Sequence, residues 1–525
     1  MTTVNPQIIG IFISKKIKMS LHTRSFFVLL ISFYLSTNVN AQTQNNFYNV
    51  KSFGAKGDGI NMDGNAINKA IDDAAQAGGG TVYFPAGNYL SGSIHLRSNI
   101  CLYISQGATL IASTDSTQFD KPEKSINDIY QDYGHSHFHN SFIWGENLHD
   151  ISIIGQGKIW GKGLARNGKN GDENPNKSIC LLMGRNVIIR DISILHGGWF
   201  AILATGVDNL TLDNLKLDTN RDGFDIDCCK NVKVSNCFVN SPFDDGICLK
   251  SSFALGYARS TENVTITNCQ VSGYVEGTLL DGTFIRNDPK NPSPTGRIKF
   301  GTESNGGFKN ITISNCVFDD CRGLALETVD GAQLENITIS NITMRDIGNA
   351  PIFIRLGARM RGPDSIAIGE CRRIIINNIV AYNVDGKQGT IISGLPNHDI
   401  EDLQLSNIRI YYKGGFSKNA ISQTVPEFEK DYPEPDRWKT MPSYGFYLRH
   451  VKDLKMHDVQ VSYLKDDDRP PFILDDVKGA ILYDIQAQKT SDAATFILKN
   501  VEGIHISQAN EIKDSFIEKA GEKDL

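Results

Sequence analysis

Five aspartates lie close together in the 525-residue chain, in two successive segments. The segment TNRDGFDID holds Asp222, Asp225 and Asp227, and the segment SPFDDGICLKS holds Asp244 and Asp245. Carboxyl groups forced together repel, which raises the pKa of at least one and leaves an acid beside a base. Hydrolysis of a glycosidic bond needs that division, because one carboxyl protonates the leaving oxygen while another activates water. The spacing is also compatible with a calcium site, or with aspartates used at turns.

A repeated motif predicts the elements that position these aspartates. Asparagine followed by alternating apolar residues recurs down the chain, with clean spacings of 22, 23 and 26 residues. The alternation predicts short strands with one apolar face, and the units are too short to hold a crossover helix. We therefore predict an all-β fold, a right-handed parallel β-helix in which a ladder of stacked asparagines turns the chain. Copies of the motif begin at Asp150, Asn186, Asn209, Asn231, Asn263, Asn310, Asn336, Arg373, Asp402 and Asp453.

The repeat also predicts how the aspartates align. Asp222 follows Asn209 at the same offset at which Asp244 follows Asn231, the first residue of the next copy. This shared offset predicts that the two side chains stack directly, one coil apart. Because parallel strands lie about 4.8 Å apart, we expect Asp222, Asp244 and Asp245 to crowd within several ångströms.

The chain divides into four predicted segments. Residues 1–41 read as a signal peptide, and residues 42–113 as an N-terminal cap and the first coils. Helical spacing of apolar residues predicts a capping helix over Asn65–Ala77, ended by three glycines. Residues 114–490 are the predicted β-helix with the catalytic groups. Residues 491–525 are charged and are expected to leave the coil as a tail.

The predicted signal peptide determines the expected location of the protein. Four basic residues precede the apolar run 26–31, and small residues follow it before Gln42. This pattern is typical of a cleaved export signal, and an uncleaved membrane anchor is the alternative. We expect a secreted or periplasmic protein with no membrane contact after cleavage.

Charge and cysteine usage narrow the possible partners. The net charge of −6 indicates no basic nucleic-acid surface and no general attraction for an anionic polysaccharide. Any grip on an acidic sugar must come from local lysines and arginines. Of the ten cysteines, Cys237, Cys269 and Cys316 share one repeat position, which favours a buried stack of thiols over a disulfide framework. A Cys316–Cys321 disulfide stays possible.

The motifs around the aspartates resemble glycoside hydrolase family 28, the polygalacturonases and rhamnogalacturonan hydrolases. The family's Asn-Thr-Asp is similar to Asn220-Arg221-Asp222, with arginine in place of threonine, and its Asp-Asp corresponds to Asp244-Asp245. FGAKGDGINMDGNAINKAI and GGGTVYFPAGNYLSG are also similar, so the resemblance spans roughly residues 48–465. It implies inverting hydrolysis of a pectic polysaccharide or oligosaccharide. Asp244 would be the general acid, and Asp222 and Asp245 would hold and deprotonate the water. No cofactor and no metal are implied, and we expect a monomer.

Two family motifs are missing. Where the family has Gly-His-Gly, the chain has Gly301-Thr302-Glu303, and where it has Arg-Ile-Lys, the chain has Ala325-Leu326-Glu327. Arg297-Ile298-Lys299 lies one coil too early and is interpreted as a coincidence of letters, although Arg297 can still reach the cleft. Glu327 in place of lysine is expected to repel a uronate carboxylate. The sugar at that position is then neutral, as rhamnose is.

Other residues are candidates for sugar binding. Lys250 follows the Asp pair on one strand, as a counter-ion or a ligand of the sugar, and Glu303 is a second cleft candidate. Arg355 belongs to the cationic segment PIFIRLGARMRG with Arg359 and Arg361, and these arginines either bind a uronate at another subsite or form solvated surface. His135, His137 and His139 alternate, which would place them on one face of a strand, but three histidines without a further ligand do not favour zinc.

Two functions from other classes remain. A polysaccharide lyase would use calcium on the aspartates with a lysine or arginine base, but the sequence beside them lacks a lyase-like pattern of basic residues. A non-catalytic carbohydrate-binding solenoid would keep the scaffold and lose nothing when the aspartates are changed.

Overall fold

The computed structural model describes residues 46–125, 128–169, 171–286, 288–422, 424–509 and 512–525. The predicted signal peptide at 1–41 lies outside these residues. Within the described ranges, no helix combines the length and the hydropathy that a membrane span requires.

In the described residues, one α-helix, α1 (Gly64–Gln76), follows the first two strands, and a long series of strands continues after it. The first strands are β1 (Phe47–Asn49), β2 (Asp58–Met62), β3 (Gly80–Phe84), β4 (Gly87–Ser91), β5 (Ile94–His95), β6 (Ile100–Ile104), β7 (Ala108–Ala112), β8 (Ile143–Glu146), β9 (His149–Ile154) and β10 (Lys158–Trp160). Next come β11 (Lys177–Arg190), β12 (Ser193–Leu195), β13 (Phe200–Asp213), β14 (Lys216–Asp218), β15 (Asp222–Asp227), β16 (Lys230–Ser235), β17 (Phe238–Asn240), β18 (Ile247–Ser251), β19 (Thr261–Thr267), β20 (Gln270–Ser272) and β21 (Ile298–Ser304). The last are β22 (Phe308–Asp319), β23 (Leu324–Thr328), β24 (Gln333–Arg345), β25 (Ile352–Leu356), β26 (Glu370–Val384), β27 (Thr390–Ser393), β28 (Ile400–Gly414), β29 (Phe446–Lys465), β30 (Phe472–Ala487), β31 (Phe496–Ser507) and β32 (Ser515–Asp524).

The strands form a right-handed parallel β-helix, as the repeat predicts. Apart from β32, the strands pair in parallel with the equivalent strands of neighbouring coils, for example β22 with β24, and β24 with β26. Alternate residues point inward and stack along the axis, because equivalent positions of successive coils lie side by side. One such column is buried throughout and consists of Ile311, Ile337, Ile374, Leu403 and Leu454.

Asparagine ladders turn the chain, and the described residues contain two of them rather than the one predicted. In the ladder expected at the middle of each copy, Asn378 Nδ2 donates to Asn341 Oδ1 at 3.0 Å. A second ladder runs through the first residue of each copy, where Asn209 donates to Asn186 at 2.9 Å and Asn231 donates to Asn209 at 3.2 Å. These residues have φ between 54° and 58°, a left-handed conformation that asparagine tolerates better than most residues.

The helix α1 is found where the sequence predicts it and packs four buried side chains, Ile67, Ala70, Ile71 and Ala74, against the first coils. Asn68 links the helix to the chain around β5, since its side chain donates to Ser93 O at 3.0 Å and accepts from His95 N at 2.9 Å. Gly79 follows at φ +127°, and a Cβ there would lie 2.6 Å from Asn99 O. Only glycine fits that close approach of the chain.

The structure corrects the prediction of a C-terminal tail and decides between thiols and disulfides. The described residues of the segment 491–525 do not leave the coil, because β31 pairs in parallel with β30, and β32 folds back antiparallel on β31. β31 alternates buried apolar residues with exposed ones, as the earlier copies of the repeat do, but the charged residues around it hide this alternation in the sequence.

All ten cysteines lie in the described part of the chain as free thiols, with Cys237, Cys269 and Cys316 buried, so the Cys316–Cys321 disulfide is absent.

We expect Asn310→Ala to unfold more readily than Asn310→Gly. Asn310 has φ 57° and bonds to Asn263 and Asn336 in the ladder, at 3.1 and 2.8 Å. Both variants lose these bonds, but alanine also meets the left-handed penalty of about 1–2 kcal/mol, whereas glycine loses about 0.5–1 kcal/mol of chain entropy. Urea denaturation measures the order of stability. Equal stabilities would show that backbone conformation contributes nothing at this position.

Candidate active site

Six strands carry the candidate site. β15, β18, β21, β23, β25 and β27 are parallel neighbours in that order, and we call them the site sheet. Their apolar residues, such as Phe224, Ile247 and Leu326, belong to the core, so the residues between them lie on the outer face. That outer face carries charged groups on successive strands: Asp225, Asp227, Lys250, Lys299, Glu327 and Arg355.

Three aspartates meet at the start of β15 and just before β18. One carboxylate oxygen from each of Asp222, Asp244 and Asp245 lies within 4.8 Å of the others. Asp222 and Asp245 are buried, whereas the Asp244 side chain is 29% exposed and faces the solvent side. The expected proximity of the three is therefore present in the structure.

The predicted register of these aspartates is wrong by one residue. β13 and β16 keep the 22-residue offset of the repeat, pairing Leu210 with Val232, but the site sheet pairs Phe224 with Ile247, an offset of 23. The turn before β18 therefore contains one more residue than the equivalent turn before β15. Asp222 stands beside Asp245, since Gly223 N donates to Asp245 O at 3.0 Å.

The three carboxyl groups differ in proton affinity. Burial, the charge of Asp244 and that of Asp225 raise the pKa of Asp222 well above its usual range. Burial and Asp245 also raise the pKa of Asp244, although Arg221 opposes the increase. Burial acts in the same direction on Asp245, but Lys299 and Arg297 outweigh it and lower its pKa. Asp245 is therefore ionised under conditions in which the other two retain a proton between them.

Arg221 is a site residue that the predictions from the sequence did not include. Its Nε lies 3.0 Å from Asp244 Oδ2 and 3.6 Å from Asp222 Oδ2. The guanidinium rests over the Trp199 ring, 4.5 Å from the ring centre, which fixes its position. The signal was present in the sequence, because arginine occupies the middle of the Asn-Thr-Asp motif.

Arg297-Ile298-Lys299 is not a coincidence of letters. Arg297 Nε donates to Asp245 Oδ1 at 2.8 Å, and Lys299 Nζ lies 3.4 Å from Asp245 Oδ2. Both cations also pair with Glu434, from the segment between β28 and β29. Ile298, the first residue of β21, points into the core, so its neighbours Arg297 and Lys299 point to the outer face next to the aspartates. The motif therefore contacts the aspartates although it lies one coil earlier than in the family. Lys299 was missed because only Arg297 was considered for the cleft.

The expectation that Glu327 presents a negative charge to a sugar is corrected by its surroundings. Its carboxyl is fully buried, 3.6 Å from Lys299 Nζ, with no hydrogen bond to either oxygen among the described residues. Burial raises the pKa of Glu327 to about 8, against the opposing effect of Lys299 and Arg297. Below that pH the group is neutral, so it does not repel a carboxylate.

Lys250 and Glu303 form a second charged cluster beside the aspartates. β21 has extra residues opposite Lys250, an irregularity that turns Glu303 toward it, and Lys250 Nζ lies 3.1 Å from Glu303 Oε2. His135 completes the cluster, with Nε2 at 2.9 Å from Asp225 Oδ2 and Nδ1 at 3.3 Å from Glu303 Oε1. Burial opposes protonation of His135, but Glu303 and Asp225 raise its pKa to about 10, so the ring is a cation.

The three alternating histidines do not share a face. Tyr133–His135 forms a short 3₁₀ helix, so the segment is not a strand. His137 stacks on Tyr133 and His139 stacks on Trp144, each with ring centres 4.0 Å apart. Only His135 of the three reaches the site sheet, and a contact across 90 residues of chain left no local signal in the sequence.

Two groups near the site have a geometry that a metal ion would accept: Asp222 with Asp244 and Asp245, and Asp132 with His135 and Glu303. Protein cations already occupy both. Arg221 and Lys299 pair with the first group, and Lys250 and Arg361 pair with the second. These cations compete with calcium for the same oxygens, which favours the interpretation of the aspartates as acid and base groups.

Residues 415–422 and 424–445, which we call the covering loop, lie on the outer face of the later site-sheet strands. Trp438 and Met441 pack there against Ala325, Phe353 and Ile391. The loop brings Glu434 to Arg297, and it brings the hydroxyl of Tyr432 within 3.3 Å of Lys299 Nζ, while 43% of the tyrosine remains exposed. The covering loop therefore borders the aspartate cluster on the β23 side.

Arg355, a predicted sugar ligand, instead holds the covering loop. It is 1% exposed and donates to Ser393 Oγ at 2.8 Å, Gly394 O at 3.0 Å and Glu427 O at 2.6 Å. All of these partners are protein atoms, and Trp438 covers the guanidinium. The neighbouring cations are also occupied, since Arg359 pairs with Asp330 and Arg361 pairs with Glu303.

A parallel β-helix with an acidic cluster on the outer face of one sheet defines the class of protein. Residues 47–350, more than half of the chain, match the family described as rhamnogalacturonase A/epimerase, pectate lyase-like, and the chain belongs to this family. The predicted resemblance is thus confirmed at the level of the pectin-lyase-like and polygalacturonase-like proteins.

Individual relatives agree with this family. The chain is 24% identical over 426 residues to a probable polygalacturonase of Vitis vinifera, covering 75% of this chain and 80% of the relative. It is 28% identical over 279 residues to an exo-poly-alpha-D-galacturonosidase of Dickeya chrysanthemi, covering 52% of this chain and 40% of that protein. The family 28 exopolygalacturonase of Yersinia enterocolitica has the same fold, with a TM-score of 0.62 at 17% identity over 83% of this chain and 78% of that one.

We expect Arg355→Met to loosen the covering loop. The substitution leaves buried carbonyl groups without a donor, each costing about 1–3 kcal/mol. The matched control is Arg345→Met, since the Arg345 side chain is 58% exposed and its partner Asp319 keeps Arg286 when Arg345 is replaced. Limited proteolysis should cut within 415–445 much faster in Arg355→Met than in the control. Equal cleavage rates would contradict the role given to Arg355.

Proposed function

We propose that the chain is an exported, polygalacturonase-like hydrolase of glycoside hydrolase family 28 that cleaves a pectin-type polysaccharide or oligosaccharide. The observation that carries this proposal is the group Asp222, Asp244 and Asp245, whose oxygens lie within 4.8 Å of one another and whose proton affinities are split. Family membership and the names of the relatives support the substrate class. The predicted signal peptide at 1–41 supports export.

The geometry suits a division of roles among the three carboxyl groups. Asp244 is the most exposed and donates its proton to the glycosidic oxygen as the bond from that oxygen to the anomeric carbon breaks. Asp222 and Asp245 hold a water molecule, whose oxygen forms the new bond to the anomeric carbon. The proton lost by the water passes to these carboxylates, so the enzyme ends the step with its net protonation unchanged.

The charges around the cluster determine when this division exists. Arg297 and Lys299 keep Asp245 ionised, so it is ready to act as a base. Asp222 and Asp244 repel each other, which retains one proton in the pair above the pH at which an ordinary aspartate loses it. When a sugar ring displaces water from Asp244, its desolvation favours the protonated form on that residue.

Inversion is proposed from the family resemblance and not from the carboxylate spacing. Most inverting glycosidases separate the two groups by about 6.5–9.5 Å, and most retaining ones by about 5–5.5 Å. The oxygens here approach more closely than the inverting range. Two adjacent carboxylates sharing one water are the arrangement that reconciles this crowding with inversion.

The linkage is proposed to differ from that of plain homogalacturonan. The Gly-His-Gly motif is absent, and Arg-Ile-Lys lies one coil early with both cations neutralised by Asp245 and Glu434. A pectic chain with neutral sugars, such as rhamnogalacturonan, is compatible with a neutral Glu327 next to the cluster.

We expect Asp244→Asn to reduce kcat by at least about a thousandfold, because an amide cannot supply the proton for the leaving oxygen. The measurement is reducing-end release from homogalacturonan and rhamnogalacturonan fragments, with the anomeric configuration of the first product followed by NMR. Asp281→Asn is the control, since Asp281 is exposed and its carboxylate accepts hydrogen bonds only from Thr283 among the described residues.

Two outcomes would contradict the proposed hydrolase. Near-normal turnover by Asp244→Asn would place the acid elsewhere. Products that absorb in the ultraviolet as unsaturated uronates would identify a lyase. A retained anomeric configuration would leave the hydrolase and overturn inversion alone.

Replacing Arg221 should move the alkaline side of the activity profile upward. Arg221 lowers the pKa of Asp244, and the reaction needs Asp244 protonated, so removal of the guanidinium keeps the acid protonated to higher pH. For Arg221→Thr, which restores the family motif, we expect the alkaline limb of kcat/KM to move to higher pH. Arg345→Gln serves as the control. A limb that stays in place, or moves down, would contradict the assignment of the acid.

A further inference from the structure

The cations closest to the aspartates are already neutralised. Arg221 pairs with Asp244, Lys250 pairs with Glu303, and Arg297 pairs with Asp245. Lys299 shares Asp245 and Glu434 with Arg297. A uronate carboxylate arriving beside them would have to displace an existing partner. On the basis of the proposed function, the recognition of an acidic sugar therefore requires a cation from elsewhere.

Arg166 is a cation beside the cluster with no such partner. It is exposed, and its guanidinium lies 3.9 Å from the ring centre of Phe243, the residue that directly precedes Asp244. In the described part of the chain, Asp244 and Asp245 pair with Arg221, Arg297 and Lys299, and no carboxylate pairs with Arg166. A guanidinium lying on an aromatic ring keeps its N–H edge free, and that edge accepts a carboxylate in bidentate fashion.

The backbone around Arg166 is fixed, although the side chain is exposed. Its own carbonyl accepts from Arg221 Nη1 at 3.2 Å, which ties it to the residue that contacts Asp244. Just before it, Ala165 N donates to Pro175 O at 2.8 Å, and Leu164 O lies 3.2 Å from His196 Nε2. The guanidinium therefore projects from a rigid support, so binding a ligand requires little ordering of the chain.

We propose that Arg166 binds the carboxylate of a uronate residue of the substrate, on the Phe243 side of Asp244. The two sides of the cluster then differ. The Phe243 side has an uncompensated cation, whereas the Lys299 side has compensated cations and the buried Glu327. The substrate class is a pectic chain with a uronate on the Phe243 side of the bond that is cut, and no acidic sugar is required on the other side.

The test compares Arg166→Gln and Arg166→Lys with wild type on one uronate-containing oligosaccharide and on its methyl ester. The ester keeps the sugars and removes the charge. For Arg166→Gln we expect kcat/KM on the free acid to fall about ten- to a hundredfold, carried by KM, with less than a threefold change on the ester. Arg166→Lys should recover part of the loss, since lysine keeps the charge without the fork.

Lys162→Gln is the matched control, because Lys162 is an exposed cation from the same segment, placed over Trp160. Equal losses on acid and ester, no loss on either, or the same acid-specific loss in the control would overturn the proposal. If wild type cleaves neither compound, the proposed function fails separately. Calorimetric binding of the free acid then still tests Arg166, which must weaken binding when changed to glutamine.

Discussion

Stacking of successive coils at the spacing of parallel strands is the constraint on which the rest of the structure depends. It places each side chain beside the equivalent side chain of the next coil. For isoleucine columns and asparagine ladders this repetition stabilises the fold, because like groups pack or bond to like. For aspartates it produces repulsion. Asp222 and Asp245 occupy neighbouring coils for this reason, and the fold holds them there although their charges oppose it.

Cations on both sides of the aspartate cluster reduce this repulsion. Arg297 and Lys299 stand one coil beyond Asp245, and Arg221 stands beside Asp244. Because each cation favours a particular carboxylate, the group is not neutralised evenly. One carboxylate is held ionised while the remaining pair keeps a proton, which is the asymmetry that acid–base chemistry uses. The cluster of Lys250, Glu303 and His135 extends the same principle along the sheet.

How much the sequence reveals depends on the distance over which each feature is encoded. The strands, the capping helix and the asparagine ladder follow from local periodicity, and the structure contains all three. The aspartate cluster was predictable because two consecutive coils carry all of it. Its register was not, since one extra residue in a turn shifts the pairing without altering the repeat.

Features that join distant segments had no local signal. His135 meets Asp225 across 90 residues, and Glu434 meets Arg297 across 137. Arg355 looked like a surface cation because its partner Glu427, in the covering loop that buries it, lies 72 residues further along the chain. The positive charge of Arg355, Arg359 and Arg361 therefore suggested that these arginines bind a sugar, whereas in the folded chain they bind protein groups. The exposed Arg166 is the opposite case, because no motif marks it in the sequence and the fold leaves its guanidinium open to a ligand.

Carbon-13 NMR of labelled aspartate carboxyl groups, assigned with single Asp→Asn variants and followed from acid to neutral pH, tests the central claim most directly. An ordinary aspartate has a pKa of about 3.9. The account predicts that the pKa of Asp245 lies well below this value. It also predicts that the Asp222–Asp244 pair releases its last proton at a pH well above this value. Three titrations clustered at the ordinary value would contradict the account, because the stacked carboxyl groups would then form no acid and no base.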